Sequence, residues 1–189
     1  MLRVLLIMLF LCTPLMAQGV SFGVHGCAAW SKLEMGQDDF TVETDDYSQF
    51  WGAGVDITFR PPMSPIGVEG GATYLFRKEK DDQLDIEGTF KTHPLYVNGQ
   101  FYLSPMSYVF GGVNYTLWGI EIEDEDLENL KGKLGFQAGV GLIIGAAGTR
   151  IYVSGCYMVQ KGKIEDEYVG DIDLETKSFQ LRVGLKFGG

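Results

Sequence analysis

The chain has 189 residues and a formal net charge of −10; 26 residues are glycine, 13% are aromatic and only 6 are proline. That length supports one domain, the acidity argues against nucleic acid as a partner, and the glycine and aromatic content favours a β-rich chain over a disordered one. No stretch approaches the roughly 18 uninterrupted apolar residues that a membrane-spanning helix needs.

Residues 1–17 read as a secretory signal peptide. Arg3 precedes an apolar run from Val4 to Leu11, Thr13 and Pro14 end it, and Ala17 offers a small residue for cleavage. Lipidation at Cys12 is the rival reading, disfavoured by the bulky Leu11 before it. Residues 18–189 then form a single exported domain, in the periplasm, the medium or an outer membrane. Cys27 and Cys156 are the cysteines that remain, in an oxidising compartment.

From there onward apolar and polar residues alternate with period two, the signature of half-buried strands. The first strand spans about 19–34, with Val20, Phe22, Val24, Ala28 and Trp30 opposed to Ser21, Gly23, His25, Cys27 and Ser31. The second, about 48–60, opposes Trp51, Ala53, Val55, Ile57 and Phe59 to Gly52, Gly54, Asp56, Thr58 and Arg60. The third, about 66–79, opposes Ile66, Val68, Ala72, Tyr74 and Phe76 to Gly67, Glu69, Gly71, Thr73 and Arg77.

A fourth strand over about 89–103 carries Leu95, Val97, Phe101 and Leu103 against Tyr96, Asn98, Gln100 and Tyr102. The fifth, about 107–121, sets Val109, Val113, Tyr115 and Leu117 against Tyr108, Gly112, Asn114 and Thr116. In the sixth, about 131–145, Leu134, Phe136, Ala138, Val140, Leu142 and Ile144 oppose Lys131, Lys133, Gly135, Gln137, Gly139 and Gly141. The seventh, about 150–162, sets Ile151, Val153, Tyr157 and Val159 against Tyr152, Ser154, Cys156 and Gln160. The eighth closes the chain from Ser178, with Phe179, Leu181, Val183, Leu185 and Phe187 opposed to Gln180, Arg182, Gly184 and Lys186.

Short turns at 61–65, 104–106 and 146–149 alternate with longer connections near 35–48, 79–88, 121–130 and 163–175, which describes an up-and-down meander. Of the 25 acidic residues, only Asp56 and Glu69 fall outside the windows 34–46, 79–87, 121–128 and 165–175. Arg60, Arg150 and Lys186 lie at the other end. The long loops therefore gather into one acidic rim, expected to include Asp45, Asp46, Asp81, Asp82, Glu123, Asp124, Glu125, Asp126, Glu165, Asp166, Asp171 and Asp173.

Eight such strands close in either of two senses. A soluble, lipocalin-like barrel buries the apolar face; a membrane barrel turns it to lipid. Here the polar face is rich in glycine with isolated amides and charges, as in Gly52/Gly54/Asp56 and Gln137/Gly139/Gly141. Small residues suit a narrow lumen better than a solvated surface, and the apolar face carries rings near the strand ends, where interfacial girdles belong.

The pattern resembles the eight-stranded outer-membrane β-barrel superfamily of OmpA/OmpX type, over the whole mature chain. Its most specific part, "FQLRVGLKF" at 179–187, is similar to the terminal signal read by the barrel-assembly machinery, although Gly188 and Gly189 follow the usual final aromatic. The resemblance implies an all-β, eight-stranded antiparallel up-and-down transmembrane β-barrel in the bacterial outer membrane. Both termini would be periplasmic, lipid and lipopolysaccharide would be its neighbours, and it is expected to be a monomer.

Within the lumen, Asp56 and Glu69 need a cation between them; Arg182 is the first candidate and Arg60 the second. A structural ion-pair plug is favoured over an ion path, because a barrel this narrow fills with its own side chains. Neither His25, expected in the lumen, nor His93, near the upper interface, sits in a catalytic spacing, so no enzyme and no cofactor are expected. The acid-dense loops lack the glycine-centred spacing of a calcium site, leaving loose divalent-cation contact open and no defined metal site. Cys27 and Cys156 lie two strands apart, roughly 9–10 Å, beyond disulfide reach; two free lumen thiols are expected. The function indicated is structural or surface-interactive. A narrow channel for small or hydrophobic solutes and a soluble lipocalin-like carrier are the alternatives.

Overall fold

A computed structural model of the protein describes residues 19–37, 40–43, 47–81, 86–122, 125–126, 130–146, 148–166 and 170–188. The expected signal peptide over 1–17 lies outside them, as do the rim residues Asp45, Asp46, Asp82, Glu123 and Asp124. For Asp81, Glu125, Asp126, Glu165, Asp166 and Asp171 the backbone alone is described.

Eight long strands form the wall: β1 (Val20–Gln37), β2 (Ser48–Phe59), β3 (Ile66–Asp81), β4 (Ile86–Ser104), β5 (Ser107–Ile122), β6 (Leu130–Ala146), β7 (Thr149–Asp166) and β8 (Gly170–Gly188). Each pairs antiparallel with the next, and β8 pairs back onto β1 from Ser21↔Gly188 to Gly36↔Asp173, which closes the barrel. Two short strands, Phe40–Glu43 and Glu125–Asp126, add to β1 and β5. Among the described residues no helix is long and apolar enough to cross a membrane.

The alternation decides what faces what. Phe22, Val24, Val55, Ile57, Val97, Val140, Val183 and Leu185 are exposed on the outer wall, while His25, Asp56, Glu69, Asn98, Gln137, Arg182 and Lys186 are buried inside. A soluble carrier would need the reverse, so the lipocalin-like alternative fails on the face that is wet. The outer apolar band is the one membrane barrels present to hydrocarbon.

Three expectations need correction. The closing strand begins at Gly170 rather than Ser178, and β7 runs on to Asp166, so most of the presumed loop 163–175 is paired hairpin. The window 79–88 is similar, with Asp81 paired to Ile86. Acid-rich sequence is no obstacle to strand pairing once the ladder stands above the hydrocarbon. Third, Lys131 and Lys133 do not face the lumen. A bulge in β6 pairs Lys133 with Lys161 but Phe136 with Val159, one residue out of step, and both lysines are exposed. One extra residue reverses the parity of everything beyond it.

The interior is filled. Near the long-loop end, Phe50 meets Phe90 edge-on at 5.9 Å and Phe90 meets Trp118 at 5.8 Å, with Leu75 and Ala29 packed among them. Toward the short turns, Tyr102, Tyr108, Phe110, Ile143 and Tyr152 form a second cluster. Glycines on adjacent strands make room for these rings: a Cβ at Gly141 would collide with the Tyr108 ring. At the short-turn seam Gly188 takes a left-handed φ of 85°, donates to Gly148 O at 3.1 Å and accepts from the Arg150 guanidinium. This gives the first of the two trailing glycines a role at the closure.

Candidate functional site

Two constellations stand out, one inside the wall and one on it. Inside, Lys186 of β8 is 1% exposed. Its Nζ lies 3.3 Å from Asp56 Oδ1 and 3.1 Å from Glu69 Oε2, and donates to Thr58 Oγ1 at 2.8 Å. Glu69 also accepts from Gln100 Nε2 at 2.7 Å, Asn98 Nδ2 at 3.2 Å and Thr58 Oγ1 at 3.3 Å. The Tyr152 hydroxyl donates to Asp56 Oδ2 at 2.6 Å and lies 2.7 Å from His25 Nδ1. A hydroxyl has one proton, so with that proton on Asp56 the oxygen accepts from His25 Nδ1–H. His25 Nε2 is then the partner of Thr73 Oγ1, at 3.3 Å.

Asp56 and Glu69 thus share a cation, but it is Lys186. Arg182 is buried four residues farther toward the long-loop end: Nε and Nη2 donate to Gln180 Oε1 at 3.3 and 3.1 Å, and the guanidinium lies 4.6 Å from the Tyr96 ring. Arg60 stacks 3.7 Å over Tyr102 and donates from Nε to Ser64 O at 2.8 Å. The signal for Lys186 was in the register. Gly23 pairs with Asp56 on one side and Lys186 on the other. Having no side chain, it leaves the two charges room to meet above it.

On the outside, β1, β8, β7 and β6 carry three consecutive rows of charge. One row reads Asp173–Lys163–Lys131, the next Glu34–Glu175–Lys161–Lys133, and the third pairs Lys32 with Lys177. Directly below, Trp30, Phe179 and Tyr157 form a row of rings, with Trp30 and Phe179 at 6.3 Å. The outer wall therefore changes from lysine and carboxylate to aromatic and aliphatic within one step of the ladder. Six of the chain's ten lysines sit in this patch, against three carboxylates.

The carboxylates are tied to lysines. Lys177 lies 2.5 Å from Glu34 and 3.7 Å from Glu175, Lys161 lies 3.3 Å from Glu175, and Lys133 pairs with Asp173. Glu34 and Glu175 are directly opposed like charges, a costly cross-strand pair that Lys177 bridges. Its hydrogen bond to Glu34 holds the Lys177 ammonium above the usual lysine range. Asp173, expected in a purely acidic rim, belongs instead to this mixed belt. Sequence reading missed the belt because it placed Lys131 and Lys133 inside and treated 163–175 as a loop.

The outer membrane protein beta-barrel domain matches residues 4–187. The chain belongs to that family. Members of this family are outer-membrane proteins, and the solved structures it resembles share the architecture. Ail of Yersinia pestis, in complex with the heparin analogue sucrose octasulfate, superposes with a TM-score of 0.56 at 14% identity, over 89% of this chain and 99% of that one. OprG of Pseudomonas aeruginosa gives 0.57 at 15% identity, over 90% and 96%. Neisserial surface protein A gives 0.53 at 12%, over 91% and 100%. At such identities the likeness is one of fold. No curated protein matches the chain.

Proposed function

We propose that this outer-membrane barrel is a non-conducting surface-contact protein whose lysine belt holds the phosphates of lipopolysaccharide in the outer leaflet. The carrying observation is the patch of six lysines and three carboxylates immediately above the aromatic row on β1, β8, β7 and β6. Aromatic rows mark the interface, so charges one step beyond them meet headgroups. In this orientation the short turns and both termini are periplasmic. The signal peptide over 1–17 is removed, and the closing strand is read by the assembly machinery. The barrel stands as a monomer.

A lumen filled by rings and by the Lys186 cluster supports a plug, and no reaction is assigned, because His25 is already held by Tyr152 and Thr73. The test is thermal melting in bilayers with phosphorylated or dephosphorylated lipopolysaccharide. The wild type should melt higher with the phosphorylated lipid, and K131Q/K133Q/K161Q/K163Q should lose that difference. A gain that survives EDTA indicates direct lysine contact. A gain abolished by EDTA assigns it to divalent cations bridging the acidic loops. Equal melting in both lipids overturns the proposal.

A further inference from the structure

The short-turn mouth of the lumen holds a cavity of about 250 Å³ lined by Arg60, Arg150, Lys186, Tyr102 and Thr58, with no carboxylate side chain among its described lining residues. Arg150 stands directly opposite Lys186 in the β7–β8 ladder, and both point inward. Like charges so placed destabilise a strand pair unless something neutralises them. Lys186 is neutralised from above by Asp56 and Glu69. Among the described residues Arg150 is not: one nitrogen donates to Gly188 O, and its Nε is buried with no hydrogen-bond partner there. Across the mouth Arg60 uses Nε on Ser64 O and lays its face against Tyr102. Neither guanidinium makes an ion pair among the described residues.

We propose that this vestibule binds a small oxyanion of phosphate size. Guanidinium forks match tetrahedral and planar oxyanions, and the missing partner of Arg150 Nε is an acceptor. The cavity is smaller than the roughly 300–1,000 Å³ of sites for drug-sized molecules, so the ligand is an inorganic oxyanion or the head of a phosphomonoester. Bound there, it relieves the opposition of Arg150 and Lys186 without disturbing the Asp56–Lys186–Glu69 cluster above. The lysine belt has no part in this site.

The experiment is melting of the refolded protein in phosphatidylcholine nanodiscs at rising inorganic phosphate, against sodium chloride at equal ionic strength. Glycerol phosphate in a parallel titration separates a phosphomonoester from the free ion. The wild type should show a saturable rise in melting temperature with phosphate and none with chloride. R150Q and R60Q should each need about tenfold more phosphate, the measure of one charge-assisted hydrogen bond. K161Q/K163Q, in the outer belt, should titrate as wild type whether or not lipopolysaccharide binds there. No saturable rise, or one that R150Q and R60Q retain, overturns the site. Should either variant fail to refold, phenylglyoxal labelling of the wild type decides: phosphate must protect Arg60 and Arg150 but not Arg77, and uniform labelling overturns the proposal.

Discussion

At the residue scale, the heaviest demand falls on Lys186, because both acids it serves are almost sealed from water: Asp56 is 3% exposed and Glu69 is 5%. Removing one partner of a buried pair strands the others as uncompensated charges, at a cost of about 3–5 kcal/mol. K186M should therefore lower the urea midpoint far more than R182M, whose guanidinium has an amide and a ring for partners. Equal losses would return Arg182 to the role first expected of it. Gly23 makes a second demand. A Cβ there would strike the Asp56 carboxylate, so G23A should destabilise although alanine is tolerated in strands, and the double variant G23A/D56N should lose less than the sum of its parts. On the outer wall, Lys177 gives a sign that can be worked through. Its pKa is raised in the folded state by Glu34. The stabilisation is therefore complete below the unfolded value of about 10.4 and is lost only as pH rises through the folded one. Melting of wild type and K177Q should differ by a constant amount from pH 7 to 9 and converge only as pH rises through the raised folded value; high salt should shrink the gap at any pH.

The strands carry a different lesson. Period-two alternation assigns the faces of β2, β4 and β5 correctly, since a slip of one residue would put Asp56 or Asn98 into lipid and every choice in between is expensive. The strand ends were not legible, because acids mark water and not the end of pairing; the ladder continues past the membrane to Asp166 and Gly170. Nor does hydropathy reveal a bulge. Leu134 and Phe136 face lipid as expected, but Lys133 shares their side of the wall. Deleting Gly135 from β6 should restore strict pairing with Lys133 still opposite Lys161 and turn Leu134 inward, opposite Gln160. A cysteine placed at 134 should react with a membrane-soluble maleimide in the full-length barrel and become protected in the deletion. If both react alike, the bulge is not what keeps residue 134 on the outer wall. The ionic cluster was half legible: two inward acids on neighbouring strands demanded a cation, but choosing among Arg60, Arg182 and Lys186 required the stagger between β8, β1 and β2.

For the whole molecule, the balance between filling and flow is set by what remains inside. Rings close the long-loop end through Phe50, Phe90 and Trp118, while the short-turn end is shared between the tyrosines and Lys186. Planar bilayers containing the refolded barrel should show no discrete conductance steps, and F50A/F90A/W118A should introduce them if the apolar cluster is the seal. Steps in the wild type would favour the channel reading. The formal charge of −10 hides a polarity of position: six lysines lie on four neighbouring strands of the outer wall. The barrel is thus expected to sit with a preferred flank toward phosphate-rich lipid.

Cys27 and Cys156 are both free and buried behind the wall. A folded barrel shields them from alkylating reagents, and an unfolded chain offers both. Their modification under low reagent is a clock for spontaneous unfolding, read by mass without any engineered probe. The same two thiols set a hazard before assembly. A chain waiting in an oxidising compartment can join them, and β8, whose Arg182 pairs with Cys27 and whose Gln180 pairs with Cys156, would then have no place between β1 and β7. Escort by a chaperone until the seam closes would protect the chain as much from oxidation as from aggregation.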